Sequence, residues 1–173
     1  AINATIIMKI VASAVEHASV KATLSYLKTL GFTVVTVPPA ADGEYHVEDF
    51  LREIDSSVCL VSMMLVNNEN GCRLPVENVF RMVKRNDPEI ITHCDAVQGF
   101  LKIPFKPRTL CADLVSVSGH KVHALKGVGA LYIRHGVRVK PILCGSEQER
   151  GLRPGTESVP LIASFGAATE KLS

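Results

Sequence analysis

Short apolar, β-branched runs alternate with amphipathic stretches along nearly the whole chain, and no other feature limits the fold as much. Residues 6–13 form the first such run. Residues 19–30 follow, with Val20, Leu24, Leu27 and Leu30 at the spacing of one helical face and Gly31 as a natural stop. Residues 32–37 are strand-like and end at Pro38-Pro39, and residues 47–54 predict a second helix. Residues 59–66 are almost continuously apolar, as a strand covered on both faces requires. Pro75 suits the first position of a helix whose apolar face is Val76, Val79, Phe80 and Val83. Residues 89–94, 112–117 and 129–133 predict further strands, and residues 161–172 a last helix. Strands separated by helices build an α/β domain with a mostly parallel sheet and helices on both faces.

Composition closes off other classes. A chain of 173 residues suits one domain and buries roughly two thirds of the surface exposed by its unfolded state. Apolar residues at 47% and charged residues at 21% exclude a disordered or fibrous chain. The net charge of +2 comes with no basic block, so a nucleic-acid partner has no support. No apolar run reaches the ~18 residues that span a bilayer, which argues against a membrane protein. Residues 1–17 lack a basic start and a cleavage site, and are read as mature structure without a signal peptide. The five cysteines are scattered, with no paired spacing for a disulfide scaffold or a metal site. Cys59 and Cys94 lie in apolar surroundings and are expected as buried small hydrophobes. A cytoplasmic setting fits all of this.

The polar residues collect in a pattern. Glu16-His17 follows the first strand, Asn67-Asn68-Glu69 the central one, Asp95 and Gln98 the next, and Ser118-Gly119-His120-Lys121 the one after. Carboxyl ends of parallel strands share one edge, where ligands bind. An amine and a carboxylate together there point to pyridoxal phosphate, whose aldehyde needs a lysine and whose ring nitrogen needs an acid. Lys121 would supply the amine and Asp95 the acid; His17 would lie over the ring, Asn68 and Gln98 would bind its hydroxyl, and Ser118 its phosphate. Taken singly, each has a plainer use: Lys121 as a solvated surface group, Asp95 as a helix cap, His17 and His120 as structural histidines, and Asn67-Asn68 with Gly71 as a turn. Lys126-Gly127-Val128-Gly129 precedes a strand, whereas a dinucleotide fingerprint follows one. The loop from Gly145 to Thr156 carries Arg150 and Arg153, and reads either as a solvated loop or as a subunit-contact or anion-binding segment.

Asp95-Ala96-Val97-Gln98, Ser116-Val117-Ser118-Gly119-His120-Lys121 and Lys126-Gly127-Val128-Gly129-Ala130-Leu131-Tyr132 closely resemble the cysteine desulfurases of the NifS type. Glu16-His17, Val66-Asn67-Asn68-Glu69-Asn70-Gly71 and Gln148-Glu149-Arg150-Gly151-Leu152-Arg153-Pro154-Gly155-Thr156-Glu157 extend the resemblance in order along nearly the whole chain. These are class V, fold-type I pyridoxal phosphate enzymes, usually homodimers. The resemblance implies that Lys121 bonds the cofactor aldehyde, Asp95 partners the ring nitrogen and His17 stacks on the ring. Asn68 and Gln98 would bind its O3′ side, Ser118 and His120 would line the site, and Thr156 would reach the phosphate of the neighbouring subunit. It also implies that residues 129–133 run antiparallel. The implied reaction converts L-cysteine to L-alanine and leaves a persulfide on an enzyme thiol, from which sulfur passes to an Fe-S scaffold or another acceptor protein.

Departures from the family pattern set further expectations. The chain lacks a Gly- and Thr-rich phosphate-binding turn before its first strand, and none of its cysteines matches the family's nucleophile. The whole of residues 1–173 is therefore expected to be the cofactor-binding large domain, a fragment without the small domain and inactive by itself. Val122-His123-Ala124-Leu125 stands where a Gly-Pro pair is usual, and Ser146-Glu147 replaces a pair of glycines; these bulkier side chains are expected to crowd the phosphate. Two other readings remain open: a selenocysteine lyase or another class V enzyme of the same fold, and a non-catalytic domain that has kept it.

Overall fold

The apolar run around Val61 lies inside a six-stranded sheet of order β2-β1-β3-β4-β5-β6. The strands are β1 (Lys9–Ser13), β2 (Thr33–Val37), β3 (Val58–Met64), β4 (Ile91–Asp95), β5 (Leu114–Ser118) and β6 (Gly129–Ile133). Neighbours from β2 to β5 pair in parallel, and β6 runs antiparallel to β5, with Ser118 opposite Gly129. The helices are α1 (Ala18–Thr29), α2 (Val47–Leu51), α3 (Val76–Asn86) and α4 (Val159–Leu172). This computed structural model describes residues 8–172; the parts of the first expected strand and of the opening stretch that fall on residues 1–7 lie outside the described residues.

Alternation along each strand sorts side chains onto two unequal faces. On the larger one, Val11, Val61, Met63, Cys94 and Val115 pack with Phe50 of α2 and with Val76, Val79, Phe80 and Val83 of α3. On the other, Ile10 and Ala12 meet Leu24 of α1, with Val20, Leu27 and Leu60 around them. Helices therefore cover both faces, and the two-sided cover explains why β3 reads as continuously apolar. Gly31 takes φ +94° just after α1, a conformation that a side chain disfavours.

The amino-terminal edge of the sheet is tied by a fully buried carboxylate. Asp113 accepts hydrogen bonds from Thr92 N at 2.9 Å and Arg134 Nε at 2.5 Å, and Lys84 Nζ lies 2.5 Å away. Burial alone would raise its pKa, but the bonds from Lys84, Thr92 and Arg134 outweigh it and hold the carboxyl below its ordinary value. Lys84 also donates to the carbonyl of Ile90 at 2.6 Å, so the last turn of α3 is fastened to the start of β4.

The elements differ from expectation chiefly at their ends. Helix α2 stops at Leu51, short of residue 54. Strands β4 and β5 run on through Asp95 and Ser118, the polar residues expected to follow them. The backbone explains this, since Leu65 N donates to Asp95 O and Ala96 N to Ser116 O, both at 2.9 Å. Ladder pairing continues past the point where apolar side chains end.

Candidate functional site: a polar cavity at the carboxyl edge

Register brings the strand ends level. Met64 stands opposite Asp95, and Asp95 opposite Ser116, so the residues just beyond β1, β3, β4 and β5 open onto one edge. A cavity of about 200 Å³ lies there. Its lining includes His17, Asn68, Asp95, Gln98, Ser118, His120 and Lys121, seven of the eight residues expected from the sequence. Ser19, Met64 and Val97 complete it. Thr156 is not among them; it lies in an exposed stretch before α4.

Each side chain is set by local structure. His17 caps α1: its Nδ1 accepts from Ser19 N at 3.2 Å, which leaves Nε2 to carry the proton of the neutral ring. Asp95 is 7% exposed, and Oδ1 accepts from Val97 N at 3.0 Å. No helix follows β4, so the helix-cap use considered for Asp95 is not realised; its bond from Val97 N is that of an Asx turn and occupies one oxygen, and no described residue donates to Oδ2. Asn67 is absorbed by the turn, its Oδ1 accepting from Glu69 N and Asn70 N and its Nδ2 donating to Val15 O. The turn presents Asn68 to the cavity. Gln98 Oε1 accepts from Lys102 Nζ at 2.9 Å, and Ser118 Oγ lies 2.7 Å from His120 Nδ1.

Lys121 ends a single 3-10 turn, Gly119–Lys121, and is exposed at the rim. Gly119 is required there by space, because a Cβ would stand 2.9 Å from Val128 Cγ1 and 3.1 Å from the Ala124 Cβ. After the turn, Val122 is buried away from the cavity and His123 takes φ +66°. None of residues 122–125 lines the cavity, and neither do the exposed Ser146 and Glu147.

Two features were not anticipated. Glu16, expected at this edge but given no role, is 2% exposed, and its Oε1 accepts from Met64 N at 2.6 Å and from the Ser13 hydroxyl. Burial, reinforced by the charge of Asp95, pushes its carboxyl up to about 7. His93 lies between two hydroxyls, Ser62 Oγ at 2.8 Å from Nδ1 and Ser116 Oγ at 2.9 Å from Nε2. Burial lowers the His93 pKa, so the ring is neutral. Only the β3-β4-β5 register shows that these three meet.

Of the thiols, Cys94 is buried as expected, and burial pushes its pKa far up. Cys59 is half-buried, with Sγ 3.4 Å from Lys9 O. A second and larger cavity, about 730 Å³, lies between residues 100–107, β5, β6 and α4. Phe100, Ile103, Phe105, Leu131 and Phe165 give it apolar walls, so the smaller cavity is the one equipped for chemistry. Among the described residues, no helix is long and apolar enough to cross a membrane, and no cluster of His, Cys, Asp or Glu is arranged to hold a metal.

What the small cavity can do follows from its donors: an amine, a carboxylate with a free oxygen, an imidazole, amides and a hydroxyl can hold a small planar ring bearing a basic nitrogen and an anionic arm. The Aminotransferase class-V family matches residues 7–173. The chain is 41% identical over 161 residues to a cysteine desulfurase of Nostoc sp., covering 93% of this chain and 40% of that protein. It is 38% identical over 162 residues to the cysteine desulfurase NifS of Azotobacter vinelandii, covering 94% and 40% respectively. A solved NifS-like protein superposes with a TM-score of 0.91 at 43% identity, over 96% of this chain and 46% of that one. The chain thus spans about 40% of the length of these curated relatives.

Proposed function

Because this chain belongs to the class-V aminotransferase family, we propose that it is the cofactor-binding large domain of a pyridoxal-phosphate-dependent cysteine desulfurase. The observation that carries this reading is the convergence of Lys121, Asp95 and His17 on one cavity from three separate stretches of chain. The residues present fit the cofactor. Lys121 is the one lysine in the lining, and the free oxygen of buried Asp95 matches a pyridinium N–H. When bound, the cofactor supplies an aldehyde that condenses with amines and a protonated ring that draws electrons from the substrate carbon.

The protein's own groups would divide the work. Lys121 Nζ offers the amine and afterwards passes a proton at the rim. Asp95 Oδ2 holds the ring-nitrogen proton, while Val97 N keeps the carboxylate oriented through Oδ1. His17 covers one face of the ring, fixed by its bond from Ser19 N. Asn68 and Gln98 take the ring hydroxyl, and the Ser118–His120 pair faces the phosphate. Thr156, exposed on its loop, would reach the phosphate in a partner subunit of a homodimer. The full protein would act in the cytoplasm on L-cysteine, and would pass sulfur to an acceptor such as an Fe-S scaffold.

The test uses the chain itself. Pyridoxal phosphate is added, the adduct is reduced with borohydride, and the modified peptide is mapped by mass spectrometry. The expected adduct lies on Lys121, and Lys121→Ala should lose both the adduct and the visible absorbance. An adduct spread over exposed lysines in both proteins would overturn the reading.

A further inference from the structure

Glu16 lies behind the cavity and takes no part in the assignments above. Its carboxyl group joins the carboxyl ends of β1 and β3, with Oε1 accepting from both Ser13 and Met64. Met64 is the residue opposite Asp95 in the sheet, so this clamp sits one strand from Asp95. Oε2 is buried and has no hydrogen-bond partner among the described residues. An ionised carboxylate needs donors on both oxygens, and a buried unpaired charge is far costlier than a neutral group. A neutral acid with its proton on Oε2 and Oε1 as carbonyl acceptor satisfies both donors present.

The surroundings favour the same state. Asp95 and Cys94 face Glu16 from β4, Lys21 from α1, and Tyr45 from the segment before α2. Lys21 is the one cation among these and is exposed. Burial keeps the Cys94 thiol and the Tyr45 phenol neutral. Asp95 opposes a second negative charge. Two carboxylates that share a site resist joint ionisation, and a cation placed on one removes the resistance.

We propose that Glu16 is a positioning residue that carries a mobile proton behind the cavity, leaving Asp95 as the sole anion beside it, and that it releases this proton when a pyridinium cation pairs with Asp95. The release step rests on the cofactor reading; the location of the proton does not. Linkage makes the effect reciprocal, so cation binding and Glu16 ionisation strengthen each other.

The probe is 4′-deoxypyridoxine 5′-phosphate, which keeps the ring nitrogen and the phosphate but has no aldehyde to engage Lys121. Calorimetry near neutral pH, in buffers of different ionisation enthalpy, counts the protons released on binding. Glu16→Gln retains an oxygen for Met64 N, and titrations of the ligand itself cancel between the two proteins. The wild type should release a fraction of a proton that E16Q does not. Its affinity should also rise several-fold relative to E16Q from mildly acidic to mildly alkaline pH. Identical proton release and identical pH profiles would overturn the assignment. Infrared spectroscopy of the ligand-free wild type provides a second measurement that needs no variant. A protonated-carboxyl stretch should persist near neutral pH and vanish at alkaline pH, and its absence at neutral pH would also overturn the proposal. Failure of both proteins to bind the probe would sink the cofactor reading and the release step, while the infrared band still decides where the proton resides.

Discussion

Two buried carboxyls give the molecule opposite responses to pH. Glu16 moves from an ordinary 4.5 to about 7 on folding, so the folded state binds a proton more tightly than the unfolded one. That contribution is complete below the unfolded value and is lost as pH rises through the folded one, a change of about 3 kcal/mol. Urea unfolding should therefore show stability falling from mildly acidic to mildly alkaline pH, and Glu16→Gln should flatten the decline; an equal slope in both proteins would contradict it. Asp113 is held low, so its contribution is present above its ordinary value of 3.8 and is lost only as pH falls below that. Asp113→Asn at neutral pH removes the partner of Lys84 and Arg134 and should cost about 3–5 kcal/mol, read as a lower urea midpoint. A midpoint within error of wild type would show that the buried carboxylate does not fasten this edge. Lys121 and Asp95 were legible in the sequence because each stands in a run of residues with a chemical demand on type and order. The place of Glu16 on the same edge was legible too, but its inward turn was not, because that depends on the Ser13 hydroxyl and the Met64 amide that receive it.

The elements themselves were largely readable, since β-branched runs and the Val76, Val79, Phe80, Val83 face carry their periods plainly. Their ends were less so: β4 and β5 extend into polar residues because ladder bonds, rather than apolar side chains, decide where a strand stops. The direction of β6 came from the family resemblance and not from any period. Its geometry rests on Gly129, where a Cβ would stand 2.6 Å from Val117 O. Gly119 N donates to Val128 O at 2.9 Å, so β6 also anchors the turn that presents Lys121. Gly129→Ala must push β6 off β5, at a cost of about 1–3 kcal/mol. Amide hydrogen exchange should quicken in β5, in β6 and at Gly119, with β1 and β2 little changed. Unchanged exchange at Gly119 would show that the lysine turn holds without β6.

At the scale of the molecule, the cavity belongs to no single supersecondary unit. His17 follows β1, Asn68 follows β3, Asp95 ends β4 and Lys121 follows β5, so four parallel strands must be paired before the site exists. The faces that hold those strands together, one against α2 and α3 and the other against α1, share the same backbone ladder. Loss of either face dismantles the site. Cofactor binding should therefore stabilise the fold as a whole, by about 2.7 kcal/mol at a hundredfold excess over Kd. Denaturation followed by cofactor absorbance should coincide with denaturation followed by far-ultraviolet circular dichroism. The same cofactor excess should raise the urea midpoint of wild type more than that of Asp95→Ala, which lacks the proposed ring-nitrogen partner. Absorbance lost well before the circular dichroism signal would mean that the cavity melts as a local unit, and would place the cofactor on the exposed Lys121 turn without support from the strands behind it.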